Sequence, residues 1–119
     1  LSANPAFQLL PVYRITVFVP PADVDAVKAA ICAVDDLAIG HYREVMWTSA
    51  PGVEQFRPGP QATPTVGTAD ALTADPTVRL ECSIARDPQR LQRVLQAIHA
   101  AHPWEVPAVF VDQSLFPLP

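Results

Sequence analysis

Four side chains in this 119-residue sequence have the chemistry of a transition-metal site: His41, Glu81, His102 and Glu105. Imidazole nitrogen with carboxylate oxygen suits zinc, copper or nickel, provided the donors converge at about 2 Å from one ion. They are dispersed along the chain, and no His-x-x-His or Glu-x-x-His spacing puts two of them on one helical face. Each also has a plainer reading. His102 follows a helical stripe and would sit at the negative helix end, which favours its protonated form. Glu81 has Arg14 and Arg79 as candidate ion-pair partners. A divalent metal ion is therefore a candidate cofactor, set against ordinary structural roles for the same residues.

Arg57 supports a second chemistry. It lies in a stretch rich in proline and glycine. Glycine lets backbone approach a phosphate closely, and a guanidinium offers it a planar fork. Neither Gly-x-x-x-x-Gly-Lys nor Gly-x-Gly-x-x-Gly is present. An anion or nucleotide pocket at Arg57 thus competes with a subunit-interface ion pair. Covalent catalysis has less support. Ser49, Ser83 and Ser114 lack a nucleophile-elbow motif, and neither Cys32 nor Cys82 has a neighbouring base.

Composition narrows the partners. The net charge is -4 with eight Lys and Arg and no basic run, whereas nucleic acids and anionic membranes require a concentrated positive face. Half the residues are apolar, and the length fits one folded domain over residues 1–119. No apolar run approaches the roughly 20 residues that span a bilayer. Residues 1–12 read as an N-terminal extension. Leu1 to Pro11 has no basic n-region and is interrupted by Pro5 and Pro11, unlike a signal peptide. Cys32 and Cys82 fall among apolar neighbours, as free thiols in a reducing compartment would, so the cytoplasm is the expected location.

The elements that must position these groups follow from periodicity. Tyr13 to Val19 alternates as a strand, with Ile15, Val17 and Val19 on one face. After Pro20-Pro21, the residues Val24, Val27, Ile31 and Val34 repeat at helical spacing. Tyr42 to Ser49 reads as a second strand. Residues 50–70 form a long loop rich in proline and glycine, of a length more often functional or interface-forming than idle. Thr77 to Ile84 alternates strongly as a third strand. Asp87 then caps a helix that starts at Pro88, with Leu91, Val94, Leu95, Ile98 and Ala101 as its buried stripe. Ala108 to Val111 is the last strand, and Leu115-Phe116-Pro117 a short apolar tail. The order β-α-β-β-α-β predicts an α+β, ferredoxin-like sandwich, an antiparallel sheet with two helices on one face. Arg14, Thr16, Phe18, Arg79, Glu81 and Ser83 would share the uncovered face, and Phe18 there favours cover by another subunit.

Two motifs carry a family resemblance. His102-Pro103-Trp104-Glu105-Val106-Pro107, between a helix and a strand, resembles the His-Pro-Tyr-Glu-Val-Pro turn of the CutA divalent-cation-tolerance proteins, with Trp104 for Tyr. Gly40-His41-Tyr42, then Pro51-Gly52-Val53-Glu54-Gln55-Phe56-Arg57-Pro58, then Pro64-Thr65-Val66-Gly67, resembles the CutA/PII-like domain inserted in Nif-three-like proteins, which also exists alone. His41 stands where that pattern has Asn, and Glu54 where it has its second Gly. Some stand-alone members carry the label structural toxin protein RtxA. Such toxins are recognised by glycine-rich calcium-binding repeats, which four glycines cannot supply. The resemblance implies a ferredoxin-like fold and a homo-oligomer, a trimer by analogy with CutA and PII. It implies much less about activity; we read the chain as an oligomeric module of unassigned role that binds or senses a small ligand or metal ion, with Tyr42, Phe56, Arg57 and Trp104 as the ligand-binding set. A structural or partner-binding oligomer with no small ligand is the alternative.

Overall fold

A computed structural model describes residues 6–119. Its sheet is fully antiparallel. β1 (Gln8–Val19) lies between β4 (Thr73–Ala85) and β5 (Val109–Leu118), and β2 (Trp47–Thr48) pairs with β4 at the outer edge. β3 (Gly52–Phe56) continues along the first half of β4. The helices α1 (Val24–Val34) and α2 (Pro88–Ala101) pack together. This is the expected ferredoxin-like arrangement, enlarged by one strand.

The core lies where the alternating strand residues meet the helical stripes. Ile15, Val17 and Val19 from β1 and Leu80 and Ile84 from β4 pack with Val27, Ile31, Val94 and Ile98 from the helices. Each such side chain contributes roughly 1.5–3 kcal/mol when fully buried. A 3-10 turn at Pro21–Asp23 leads into α1, because Pro21 supplies a fixed φ where no N–H is needed. Asp87 caps α2 by accepting from the Gln89 and Arg90 N–H groups at 2.9 and 3.4 Å.

Three elements differ from the sequence expectation. β1 begins at Gln8, because Gln8 to Val12 pairs with Ser114 to Leu118. The stretch read as an extension and the stretch read as a tail are partners in one ribbon. Pro11 is tolerated in it. Its carbonyl accepts from the Arg86 N–H on the β4 side, so its missing N–H faces past the end of that ladder. The strand expected over Tyr42 to Ser49 is only Trp47–Thr48. Gly40 and Glu44 have φ of 57°, and Glu44 donates to the Asp36 carbonyl, which folds this stretch into turns. The expected loop over residues 50–70 contains β3, whose Gly52 to Phe56 pairs with Thr73 to Thr77.

The uncovered sheet face holds the six residues foreseen for it. Arg14 pairs with Ser83, Thr16 with Glu81 and Phe18 with Arg79. Glu81 accepts from the Thr16 hydroxyl at 3.1 Å and lies 3.5 and 3.9 Å from the Arg14 and Arg79 guanidiniums. Arg79 also covers the Trp47 ring at 4.8 Å, and Phe18 meets Phe110 edge to face at 6.3 Å. Trp47 and Phe110 are more than half exposed within one chain.

Candidate functional site

The turn after α2 is fixed by its first residue. His102 is 6% exposed, and its backbone N–H closes the helix on the Ile98 carbonyl. Its Nδ1 accepts the Trp104 backbone N–H at 3.1 Å, so the ring proton sits on Nε2, 2.7 Å from the Phe18 carbonyl that accepts it. A proton on Nδ1 would face the Trp104 N–H, donor against donor. Burial pushes the His102 pKa down, against the raising effect of the Phe18 hydrogen bond. The geometry thus disfavours the protonated form expected at the helix end, since Nδ1 accepts from the Trp104 N–H and burial lowers the pKa. With both nitrogens engaged, the ring orients the turn.

The turn projects Trp104 and Glu105 towards the segment after β3. The Trp104 ring lies 5.5 Å from that of Phe56 and 5.6 Å from the His102 imidazole. The Thr65 hydroxyl donates to the Pro103 carbonyl at 2.7 Å, and Glu105 Oε1 accepts the Thr63 N–H at 2.9 Å. The loop is closed at its own base. Asp70 donates its N–H to the Pro58 carbonyl at 2.7 Å, and its carbonyl accepts from the Arg57 guanidinium. Gly67, with φ of 90°, admits no side chain, since a Cβ there would come within 2.6 Å of the Thr73 hydroxyl.

Between loop and turn lies a cavity of about 280 Å³, walled by Phe56, Trp104, Pro58 and Val66 and edged by Glu54, Arg57 and Glu105. Ligand pockets run from roughly 300 to 1,000 Å³, so this one suits a small molecule. Glu54 lies two residues before Phe56 and so projects from the same strand face. Its Oε1 is shut off from solvent without a hydrogen-bond partner. Burial pushes the Glu54 carboxyl up, Asp75 adds to this, and the Thr77 hydroxyl opposes it. Glu54 also lines a second cavity, of about 580 Å³, over the open sheet face beside Phe18 and Phe110.

Of the proposed ligand-binding set, Phe56, Arg57 and Trp104 come together here, and Tyr42 does not. Tyr42 is 76% exposed, in a turn closed by reciprocal backbone hydrogen bonds with Ile39. Neighbouring Gly40 sits against Leu118, which pairs with Gln8. Gln8 lies ten residues, roughly 33 Å at 3.3 Å per residue, along β1 from Phe18. The proposed metal set is likewise divided. His41 is exposed in the Tyr42 turn, Glu81 is on the open sheet face, His102 is buried with both nitrogens engaged, and Glu105 edges the cavity. Among the described residues no three His, Cys, Asp or Glu side chains converge as a metal site would require. Glu54, Thr63 and Thr65 were missed from the sequence. The one signal for Glu54 was a carboxylate at a motif position where the family pattern has glycine.

Both cysteines are free, and burial pushes the Cys82 thiol up to about 12, a poor setting for a nucleophile. Ser49 serves the backbone, its hydroxyl accepting from the Arg79 N–H and donating to the Ala50 carbonyl. Among the described residues no helix is long and apolar enough to cross a membrane.

No family model matches the chain. It is 36% identical over 103 residues to the GTP cyclohydrolase 1 type 2 homolog of Listeria monocytogenes, matching 85% of this chain and 26% of that protein. The chain thus spans about a quarter of the length of the curated relatives it matches. Among solved structures, the Bacillus cereus protein related to NIF3 superposes with a TM-score of 0.69 at 24% identity, over 96% of this chain and 27% of that one. CutA1 of Ehrlichia chaffeensis gives 0.61 at 11% identity, over 88% of this chain and 82% of that one. GlnK of B. subtilis, solved as an ATP complex, gives 0.54 at 10% identity, over 87% and 81%. The resemblance read from the two motifs therefore stands: most of this chain matches a segment of the Nif3-related GTP cyclohydrolase 1 type 2 homologs, in the fold shared with CutA1 and GlnK.

Proposed function

We propose that this chain is a CutA/PII-like homo-oligomeric module that binds a small organic ligand in the cavity between the loop after β3 and the His102–Pro107 turn. The carrying observation is that Phe56, Arg57 and Trp104, drawn from two motifs 47 residues apart at Arg57 and Trp104, edge one cavity. A metal ion has less support, because His41, Glu81, His102 and Glu105 lie apart within one chain. The trimer is proposed around the open sheet face, where Trp47, Phe110 and Phe18 give apolar area and Glu81 a set of charged partners. Free thiols at Cys32 and Cys82 fit the cytoplasm.

The non-ligand alternative rests on the internal satisfaction of His102, Glu81 and Glu105. Native mass spectrometry from chelator-free volatile buffer, followed by thermal shift with a panel of metals, nucleotides and small metabolites, separates the two. A trimer whose melting point rises with an organic ligand, and no longer does so in Trp104→Ala, is the expected result. A trimer that no panel member stabilises favours the structural oligomer. A monomer at all concentrations removes the oligomeric part of the proposal.

A further inference from the structure

Resting on the small-ligand reading above, we infer that the cavity selects an organic cation, with Glu54 as the residue that sets this preference. The edge charges are two carboxylates, Glu54 and Glu105, against one guanidinium, Arg57. Arg57 is already committed to the Asp70 carbonyl, and Glu105 to the Thr63 N–H. Glu54 is the group left without a charged partner among the described residues: its Oε1 is out of reach of water and unpaired, and the neutral Thr77 hydroxyl is the donor at its carboxyl. A carboxylate in that position carries a desolvation cost that a positive charge in the adjoining space relieves. A phosphate or carboxylate ligand would increase the cost.

The walls agree with the edge. Phe56 and Trp104 meet at 5.5 Å with their planes tilted by 54°, forming a concave aromatic corner. Aromatic faces attract cations, most strongly where water is excluded, and Trp is the best of them. A flat body carrying an ammonium or amidinium group would stack in this corner with its charge towards Glu54. The anion pocket considered at Arg57 from the sequence predicts the opposite preference.

The test uses three probes of one shape and different charge: benzamidine, benzamide and benzoate. Each is titrated into the full chain while the Trp104 indole and Gly59 amide resonances are followed by two-dimensional NMR. Benzamidine should shift both saturably, benzamide should bind about tenfold more weakly, and benzoate should shift neither. Glu54→Gln, which keeps shape and removes charge, should bring benzamidine down to the benzamide level without lowering the melting point. Equal binding of benzamide or benzoate overturns the cation preference while leaving a small-ligand site in place. No shift from any probe also overturns it, and the mass and thermal-shift panel then decides the broader reading separately. Unchanged benzamidine binding in Glu54→Gln, with or without a changed assembly mass, removes Glu54 from the site; a changed mass would assign it to a subunit contact.

Discussion

α2 begins and ends on a buried polar contact, and the two contacts do different things. At its start, Arg90 donates to both Asp35 oxygens at 2.9 and 2.8 Å, and Asp35 also accepts the Leu37 N–H at 2.9 Å. The pair ties the end of α1 to the first turn of α2, and it is complete in itself. At the other end, His102 satisfies both ring nitrogens on backbone and thereby fixes a turn whose next residues are not complete. Trp104 lines a cavity, and one carboxyl oxygen of Glu54, which lines it too, lacks a partner. A closed polar network holds two elements together. One that orients unfilled groups builds a site.

The contrast is sharpest in stability. Asp35→Ala should cost about 3 kcal/mol, since it strands a largely buried arginine contact and frees the Leu37 N–H. His102→Ala should cost about 2 kcal/mol, through the unsatisfied Phe18 carbonyl and the space left behind. Urea unfolding measures both. Only the His102 variant should also weaken ligand binding at Trp104. Equal loss of binding in the two variants would mean that α2 transmits stability to the cavity as a whole, and the distinction between its ends would fail.

The two ends should also separate in pH. The folded state holds the His102 pKa below its ordinary value of about 6.5, so the unfolded chain takes up that proton first as pH falls. The His102 contribution is complete above about pH 6.5 and lost as pH drops through the lower folded value. The Arg90 hydrogen bonds hold the Asp35 carboxyl below its ordinary value of about 3.9. That contribution persists above about pH 4 and is lost further into acid. Melting temperatures recorded from pH 8 to 3 should fall in two stages. His102→Asn should remove the first and leave the second.

How much of this was legible follows from which signals are local. The Val and Ile alternation of β1 and β4 and the stripe ending at Ile98 announce themselves residue by residue. The Gln8–Leu118 ribbon does not, because each half carries a proline and only pairing makes either half a strand. β3 was hidden by Pro51, Pro58 and Gly52 at its borders. The strand over Tyr42 to Ser49 was overread beyond Trp47-Thr48, because nothing in the sequence marks Glu44 as left-handed. At the site, Phe56, Arg57 and Trp104 were legible as motif residues. Tyr42 belonged to the same motif pattern yet lies at the opposite end, since sequence proximity to a motif carries no direction in space. The neutral state of His102 was not legible either, because it depends on burial in the folded core and on the Trp104 N–H meeting Nδ1.

The smaller effects test the distance between the two motif turns. Trp104→Ala should remove one wall of the cavity and abolish measurable small-ligand binding, at a stability cost of about 1–2 kcal/mol, because the ring is only partly buried. Tyr42→Ala should do neither. Its ring is exposed, its turn is closed by its own backbone, and surface substitutions of that kind fall within about 0.5 kcal/mol. In one chain the two turns are tens of ångströms apart. In an assembly the Tyr42 turn of one copy could still approach the cavity of the next. Ligand titrations of Tyr42→Ala at protein concentrations above and below the assembly threshold separate these cases. Unchanged affinity at both concentrations confines the site to one chain. A loss confined to the assembled state would give Tyr42 its place in the ligand-binding set, contributed across a subunit boundary.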